Sequence, residues 1–126
     1  MKVLVVDDLP MVPERLRELL VGVESIDLVS VAQNAKQATE RALSWNPDVV
    51  VLDMNLRGGR GIDLVHAVKE AKPATVVIVS TILSDPDYRE AWLKHGADFV
   101  FDKVTEFEKI AGALKALSLR TAPGAA

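Results

Sequence analysis

The chain has 126 residues, of which 49% are hydrophobic, with 15 basic and 18 acidic side chains and no cysteine. That is the size of one ordinary domain able to bury a core, and the scattered charges, net −3, exclude the basic patch that a nucleic-acid surface requires. Lack of cysteine removes disulfides, thiolate metal sites and cysteine nucleophiles; a strand directly after Met1-Lys2, and no apolar run near the ~20 residues of a bilayer span, imply a cytoplasmic protein without signal peptide or membrane segment.

Lys2-Val-Leu-Val-Val6 reads as a short buried strand, and it runs into the carboxylates Asp7 and Asp8. The loop Leu9 to Pro13 leads into a helix whose apolar positions Val12, Leu16, Leu19, Leu20 and Val23 recur at helical spacing, with Gly22 marking its end. Pro13 falls in the first turn, where its missing N–H costs nothing. Leu28 to Ala32 is a shorter strand. Asn34, with Gln37 three residues on, predicts a capped helix through Trp45 that Asn46-Pro47 stops. Asp48-Val-Val-Val-Leu-Asp53 is the most apolar strand and has the composition of one buried on both faces.

The loop Gly58-Gly59-Arg60-Gly61 follows, then a helix with Ile62, Leu64, Val65, Val68 and Ala71 along one face, closed by Lys72-Pro73. Thr75 to Thr81 is a fourth strand, rich in β-branched residues. Asp85-Pro86 has the chemistry of a helix start, and Lys94-His95-Gly96 that of a helix end. Asp98 to Phe101 is the fifth strand, finishing at Asp102-Lys103. Thr105 and Glu108 form a capping-box pattern for a last helix that buries Phe107, Ile110, Ala111, Leu114 and Leu117. Residues 1–119 thus form one domain, and 120–126 read as a flexible C-terminal tail. Five strands alternating with five helices predict an α/β fold with a doubly wound parallel sheet.

In such a sheet the strands' carboxyl ends share one edge, where ligands bind. Asp7 and Asp8 end the first strand, Asp53 the third, Thr81 the fourth and Lys103 the fifth. Each has an ordinary reading by itself, as a helix cap, a strand-end threonine or a solvated lysine; joint placement is what argues for a site. Three close carboxylates repel one another unless a cation holds them, and Mg²⁺ suits oxygen ligands of this kind. Asp53 is then a competent phosphoryl acceptor, with Lys103 as a compact positive charge beside it. Ser80 precedes Thr81 and is an alternative hydroxyl; the separation from Gly96 favours Thr81. His66 and His95 have no acidic or histidine companion at ligand spacing along the chain, so solvated helix positions are expected. Trp45 and Trp92 read as packing residues, with Tyr88 and Trp92 as a candidate partner-binding patch.

Together, Asp7-Asp8, the strand VVVLDMNL with its glycine loop, Thr81, and Lys103 after Gly96-Ala97-Asp98 resemble the response-regulator receiver domains of bacterial two-component signalling, from Met1 to about Leu119. The resemblance implies a flavodoxin-like fold with strand order 2-1-3-4-5. It implies that Asp53 is phosphorylated by a sensor histidine kinase or a small phosphodonor. Asp7, Asp8, Asp53 and the Asn55 carbonyl would hold Mg²⁺, Thr81 would turn toward the phosphoryl group and Lys103 would pair with it. The output would be a protein-binding surface of residues 85–95, 98–101 and 105–117 whose form shifts on phosphorylation, with dimerisation left open. Relative to the family pattern, Val100 stands where an aromatic is usual, Ile82 where a small residue is usual, and Val104 where proline commonly follows the lysine. By strand alternation Phe99 and Phe101 face away from Val100's side. Ile82 is expected to narrow access to the acyl phosphate and, with apolar Leu83, to slow its hydrolysis; without proline, the bond after Lys103 is expected to be trans.

Two rival readings stand beside this one. A receiver-like scaffold could bind its partner constitutively, without phosphorylation. An aspartate-nucleophile phosphatase would want Asp-x-Asp where this chain has Asp53-Met-Asn55. A flavin-type cofactor role is poorer, because the first loop lacks the small hydroxyl and glycine residues that cradle a phosphate.

Overall fold

Val3 to Val6 and Val49 to Leu52 are each no more than 1% exposed, which for consecutive residues requires cover on both faces of the sheet. The computed structural model describes residues 1–7, 11–31, 34–53, 61–82 and 86–121. Asp8, Asn55, the Gly58-Gly59 loop, Leu83, Asp85 and residues 122–126 lie outside the described residues.

In chain order the elements are β1 (Lys2–Val6), α1 (Met11–Leu19), β2 (Asp27–Val31), α2 (Ala35–Trp45), β3 (Val49–Asp53), α3 (Gly61–Ala71), β4 (Val76–Thr81), α4 (Pro86–Lys94), β5 (Phe99–Asp102) and α5 (Phe107–Thr121). The five strands form one parallel sheet of order β2-β1-β3-β4-β5. The order reverses between β1 and β3, so a crevice opens at their carboxyl ends.

Strand alternation divides the core in two. Leu4, Val6, Val50, Leu52, Val77, Val79 and Val100 pack with Ala38 and Ala42 of α2, Leu64, Val65 and Val68 of α3, and Trp92 of α4. Val3, Val5, Val49, Val51 and Ile78 pack with Val12 and Leu16 of α1 and Phe107, Ile110, Ala111 and Leu114 of α5. At roughly 1.5–3 kcal/mol for each large apolar side chain removed from water, these two layers are the main force holding helices to sheet.

Local signals act largely as expected. Gln37 N donates to Asn34 Oδ1 at 2.9 Å, and Asn46 closes α2 in the left-handed conformation at φ 56°. Gly96 ends α4 at φ 110°. No described peptide bond is cis, so the one after Lys103 is trans. At the amino edge, Asp48 accepts from Lys2 N at 2.8 Å and meets Lys72 Nζ at 3.4 Å. Its partial burial opposes ionisation, but these two partners outweigh it and hold the carboxyl below its ordinary value.

Other details depart from the sequence reading. α1 stops at Leu19, leaving Val23 in the following turn, and Ala71 of α3 is exposed. α5 starts at Phe107, and the reciprocal pair lies one turn before the Thr105/Glu108 pattern. Asp102 Oδ1 accepts from Val104 N and Thr105 N at 2.8 and 2.9 Å, while Glu106 Oε1 accepts from Asp102 N at 3.0 Å. An acceptor at the strand end captures these N–H groups before Thr105 can begin a helix. α5 then continues through Arg120 to Thr121, into the expected tail. Trp92 is the one buried residue of α4, so it anchors the helix and is not part of a partner-binding patch; Tyr88 is 42% exposed. His66 and His95, expected as solvated helix positions without a companion, are exposed but meet, with Nε2 and Nδ1 3.2 Å from each other.

Candidate functional site

Four strand ends meet at the carboxyl edge. Asp7 immediately follows β1, Asp53 closes β3, Thr81 closes β4 and Lys103 immediately follows β5. Asp7 is 3%, Asp53 7% and Thr81 1% exposed, so all three are withdrawn from water. Asp7 lies two residues beyond Val5 and Asp53 two beyond Val51, which by alternation sends both carboxylates toward the α1/α5 side.

Lys103 arrives by a turn that fixes its backbone. Its N–H donates to Thr81 O at 2.8 Å, joining the ends of β4 and β5. The bonds among Asp102, Val104, Thr105 and Glu106 hold the turn's far side. Arg89 of α4 supports it further, donating through Nη2 to Glu106 Oε1 and through Nη1 to Val100 O at 2.9 Å. Glu106, gathering the Asp102 N–H, Lys109 and Arg89, has its pKa lowered to about 2.

From this seat the Lys103 ammonium donates to Asp7 Oδ2 at 2.9 Å and lies 3.2 Å from Asp53 Oδ2. Burial alone would lower its pKa, but the hydrogen bond to Asp7 and the charge of Asp53 outweigh burial and raise it above the ordinary value. One ammonium thus bridges two carboxylates that are 46 residues apart in sequence.

The remaining nominated residues divide as follows. Thr81 is buried at the same edge, and its carbonyl holds Lys103. Ser80, the alternative hydroxyl, is level with Asp53 in the β3–β4 register and is buried, with no hydrogen-bond partner for its Oγ among the described residues. Asp8 and Asn55 fall outside the described residues. Val100 is buried in the α2–α4 layer, while Phe99 and Phe101 stack on the other face with centroids 5.8 Å apart. Ile82 is 61% exposed. Sequence reasoning did not single out a hollow of about 270 Å³ beside Lys103, lined by Met11, Val12, Arg15, Val104 and Phe107. Arg15 caps it, its guanidinium 4.8 Å from the Phe107 ring centroid. The i, i+4 spacing of Met11 and Arg15 was visible in the sequence; its convergence with the β5–α5 turn was not.

The paired carboxylate oxygens are hard donors suited to Mg²⁺. Asp7 and Asp53 could supply two such ligands, and among the described residues no group of three or more His, Cys, Asp or Glu gathers around one point.

Residues 3–115 match the model of the response regulator receiver domain. The chain belongs to that family. Among similar proteins, the nitrate/nitrite response regulator NarL of Escherichia coli K12 is 30% identical over 112 residues, which are 89% of this chain and 52% of NarL. A protein-glutamate methylesterase/protein-glutamine glutaminase of Carboxydothermus hydrogenoformans is 31% identical over 81 residues, 64% of this chain and 23% of that protein. This receiver domain therefore spans about half of the one relative and less of the other. Of solved structures, the Francisella response regulator 1452 receiver domain superposes with TM-score 0.81 at 25% identity, covering 96% of this chain and 98% of that one. The BeF3-activated DrrB receiver domain gives TM-score 0.75 at 27% identity, covering 91% and 94%. No helix among the described residues is long and apolar enough to cross a membrane.

Proposed function

We propose that this receiver domain is a phosphorylation switch in which Asp53 accepts the phosphoryl group. The observation that carries the reading is the Lys103 ammonium held against both Asp7 and Asp53 at the carboxyl edge. In the transfer an Asp53 carboxylate oxygen attacks phosphorus, the bond from phosphorus to the donor's leaving atom breaks, and the leaving atom takes the electron pair. Lys103 offsets the charge on the phosphoryl oxygens, and Thr81 supplies a hydroxyl at the same edge. Asp7, Asp8, Asp53 and the Asn55 carbonyl would hold Mg²⁺, which when bound neutralises phosphoryl oxygens during transfer. The phosphodonor is a sensor histidine kinase or a small acyl phosphate. The hollow, largely apolar with the cations Arg15 and Lys103 in its lining, supports docking of a protein donor there.

The product is a shifted binding surface rather than a turned-over substrate. It comprises residues 85–95, 98–101 and 105–117, through which a downstream protein is engaged in the cytoplasm. Arg89 links α4, β5 and the turn before α5, so movement at Lys103 reaches all three. Residues 1–119 make up the switching unit.

Incubation with acetyl phosphate or beryllofluoride and Mg²⁺ tests the reading. The wild-type chain gains one phosphoryl mass or one BeF₃ adduct, and Asp53→Asn gains neither. An unlabelled wild type, or an equally labelled Asp53→Asn, overturns it. A second reading, the constitutive scaffold, is favoured by Val100, which fills the core where a mobile aromatic would otherwise report the state of the site. It requires the same partner affinity with and without phosphorylation.

A further inference from the structure

His66 is on α3 and His95 immediately follows α4, 29 residues away, and both are exposed. They are the only histidines in the chain. Nε2 of the first is 3.2 Å from Nδ1 of the second, and the ring centroids are 5.2 Å apart at an interplanar angle of 43°. Two imidazoles ligating one tetrahedral ion through nitrogens at 2.0–2.1 Å bring those nitrogens to about 3.3 Å and their ring centroids to about 5 Å. Nitrogens meeting head-on in a straight hydrogen bond would hold the centroids somewhat farther apart, at about 5.5 Å for this nitrogen separation. The observed 5.2 Å falls between the two values, so the rings are bent away from a straight hydrogen bond.

The surrounding backbone fixes this approach. Gly96 turns at φ 110°, and a Cβ there would lie 3.5 Å from Val65 Cγ1 and 3.6 Å from Lys69 Cγ, so the turn carrying His95 rests directly on α3. One turn along α3 from His66, Lys69 Nζ donates to Asp98 Oδ2 at 2.7 Å and to Thr75 O at 2.6 Å. Its charge is thereby engaged by oxygens. Asp63 and Glu70, a turn to either side of His66 on α3, add negative charge to this stretch. The two imidazoles are thus pre-positioned by contacts that do not involve the rings.

We propose that His66 Nε2 and His95 Nδ1 form a surface chelate for a borderline divalent transition ion such as Zn²⁺, clipping α3 to the turn between α4 and β5. Imidazole is a preferred ligand of such ions, and exposure leaves the other coordination positions to water. Binding displaces the proton shared between the rings, because a ligating nitrogen must present its lone pair. The site does not depend on Asp53 or on the phosphoryl reading.

Zn²⁺ titration of the full chain, followed through the histidine ring resonances by NMR, tests the proposal. Both ring systems shift together and saturate at one equivalent, and the thermal midpoint rises with the metal. His66→Ala and His95→Ala each weaken binding by no less than the roughly tenfold that loss of even a supporting partner costs a metal site. Both variants keep the wild-type midpoint in chelator. Ring signals unmoved by millimolar Zn²⁺, a shift in one ring only, or wild-type affinity in either variant overturns the proposal.

Discussion

Lys103→Met removes the positive member of the buried cluster and leaves two carboxylates facing each other. The Asp7 and Asp53 side chains are 2% and 9% exposed, and that of Lys103 is 13% exposed, so water screens none of them well. At an effective dielectric constant near 20, contacts of 2.9 and 3.2 Å each represent about 5–6 kcal/mol of attraction. Desolvation of all three groups offsets most of that. With the ammonium gone, two carboxylate oxygens within about 6 Å repel by about 3 kcal/mol on the same scale. The expected net loss is about 3–5 kcal/mol, as for other buried pairs broken from one side. Asp53→Asn removes a carboxylate instead and leaves a matched Lys103–Asp7 pair, so it should cost less than about 1 kcal/mol or stabilise slightly. Urea unfolding at neutral pH measures both, read from midpoints at unchanged slope. The Lys103 pKa is raised in the folded state, so its contribution is complete below the ordinary value of 10.5 and fades as pH rises through the folded value. The gap between wild type and Lys103→Met should accordingly close in strong alkali. An Asp53→Asn loss as large as that of Lys103→Met would refute the charge-imbalance reasoning.

Three further outcomes are expected. Glu106 has its pKa lowered from 4.5 to about 2, so its stabilisation is present above 4.5 and lost as pH falls toward 2; Glu106→Gln should be less stable than wild type at pH 6, with the difference vanishing in acid melts. Trp92→Ala removes the only buried side chain of α4 and should cost about 3–5 kcal/mol in chemical denaturation, with hydrogen exchange of the α4 amides rising more than that of β1. Phosphorylated Asp53, if Ile82 narrows access and apolar Leu83 holds no attacking water, should decay slowly, and Ile82→Ala should shorten its lifetime; a wild-type half-life of seconds, read by loss of phosphoprotein after donor removal, would contradict this.

The local patterns carried most of the fold. Unbroken burial in Val3 to Val6 and Val49 to Leu52 follows from side chains that alternate between two covered faces of the sheet, and Asn34, Asn46 and Gly96 act within a few residues of themselves. Such signals depend on neighbours in sequence and are legible there. Given parallel strands, the shared edge of Asp7, Asp53, Thr81 and Lys103 follows from the direction of the chain.

What distant segments do to one another was not legible. The 2.9 Å contact of Lys103 with Asp7 spans 96 residues and depends on how the β5–α5 turn is tied to Thr81, Asp102 and Glu106. Only the docking of α4 decided that Trp92 turns inward, because an amphipathic helix with one large aromatic reads equally well as anchor or as patch. His66 and His95 look solitary at any chain spacing and meet only because Gly96 lets the α4–β5 turn rest on α3. Periodicity specifies which face of an element is apolar, whereas contacts between elements depend on crossing angles and turn geometry, which the packed core determines.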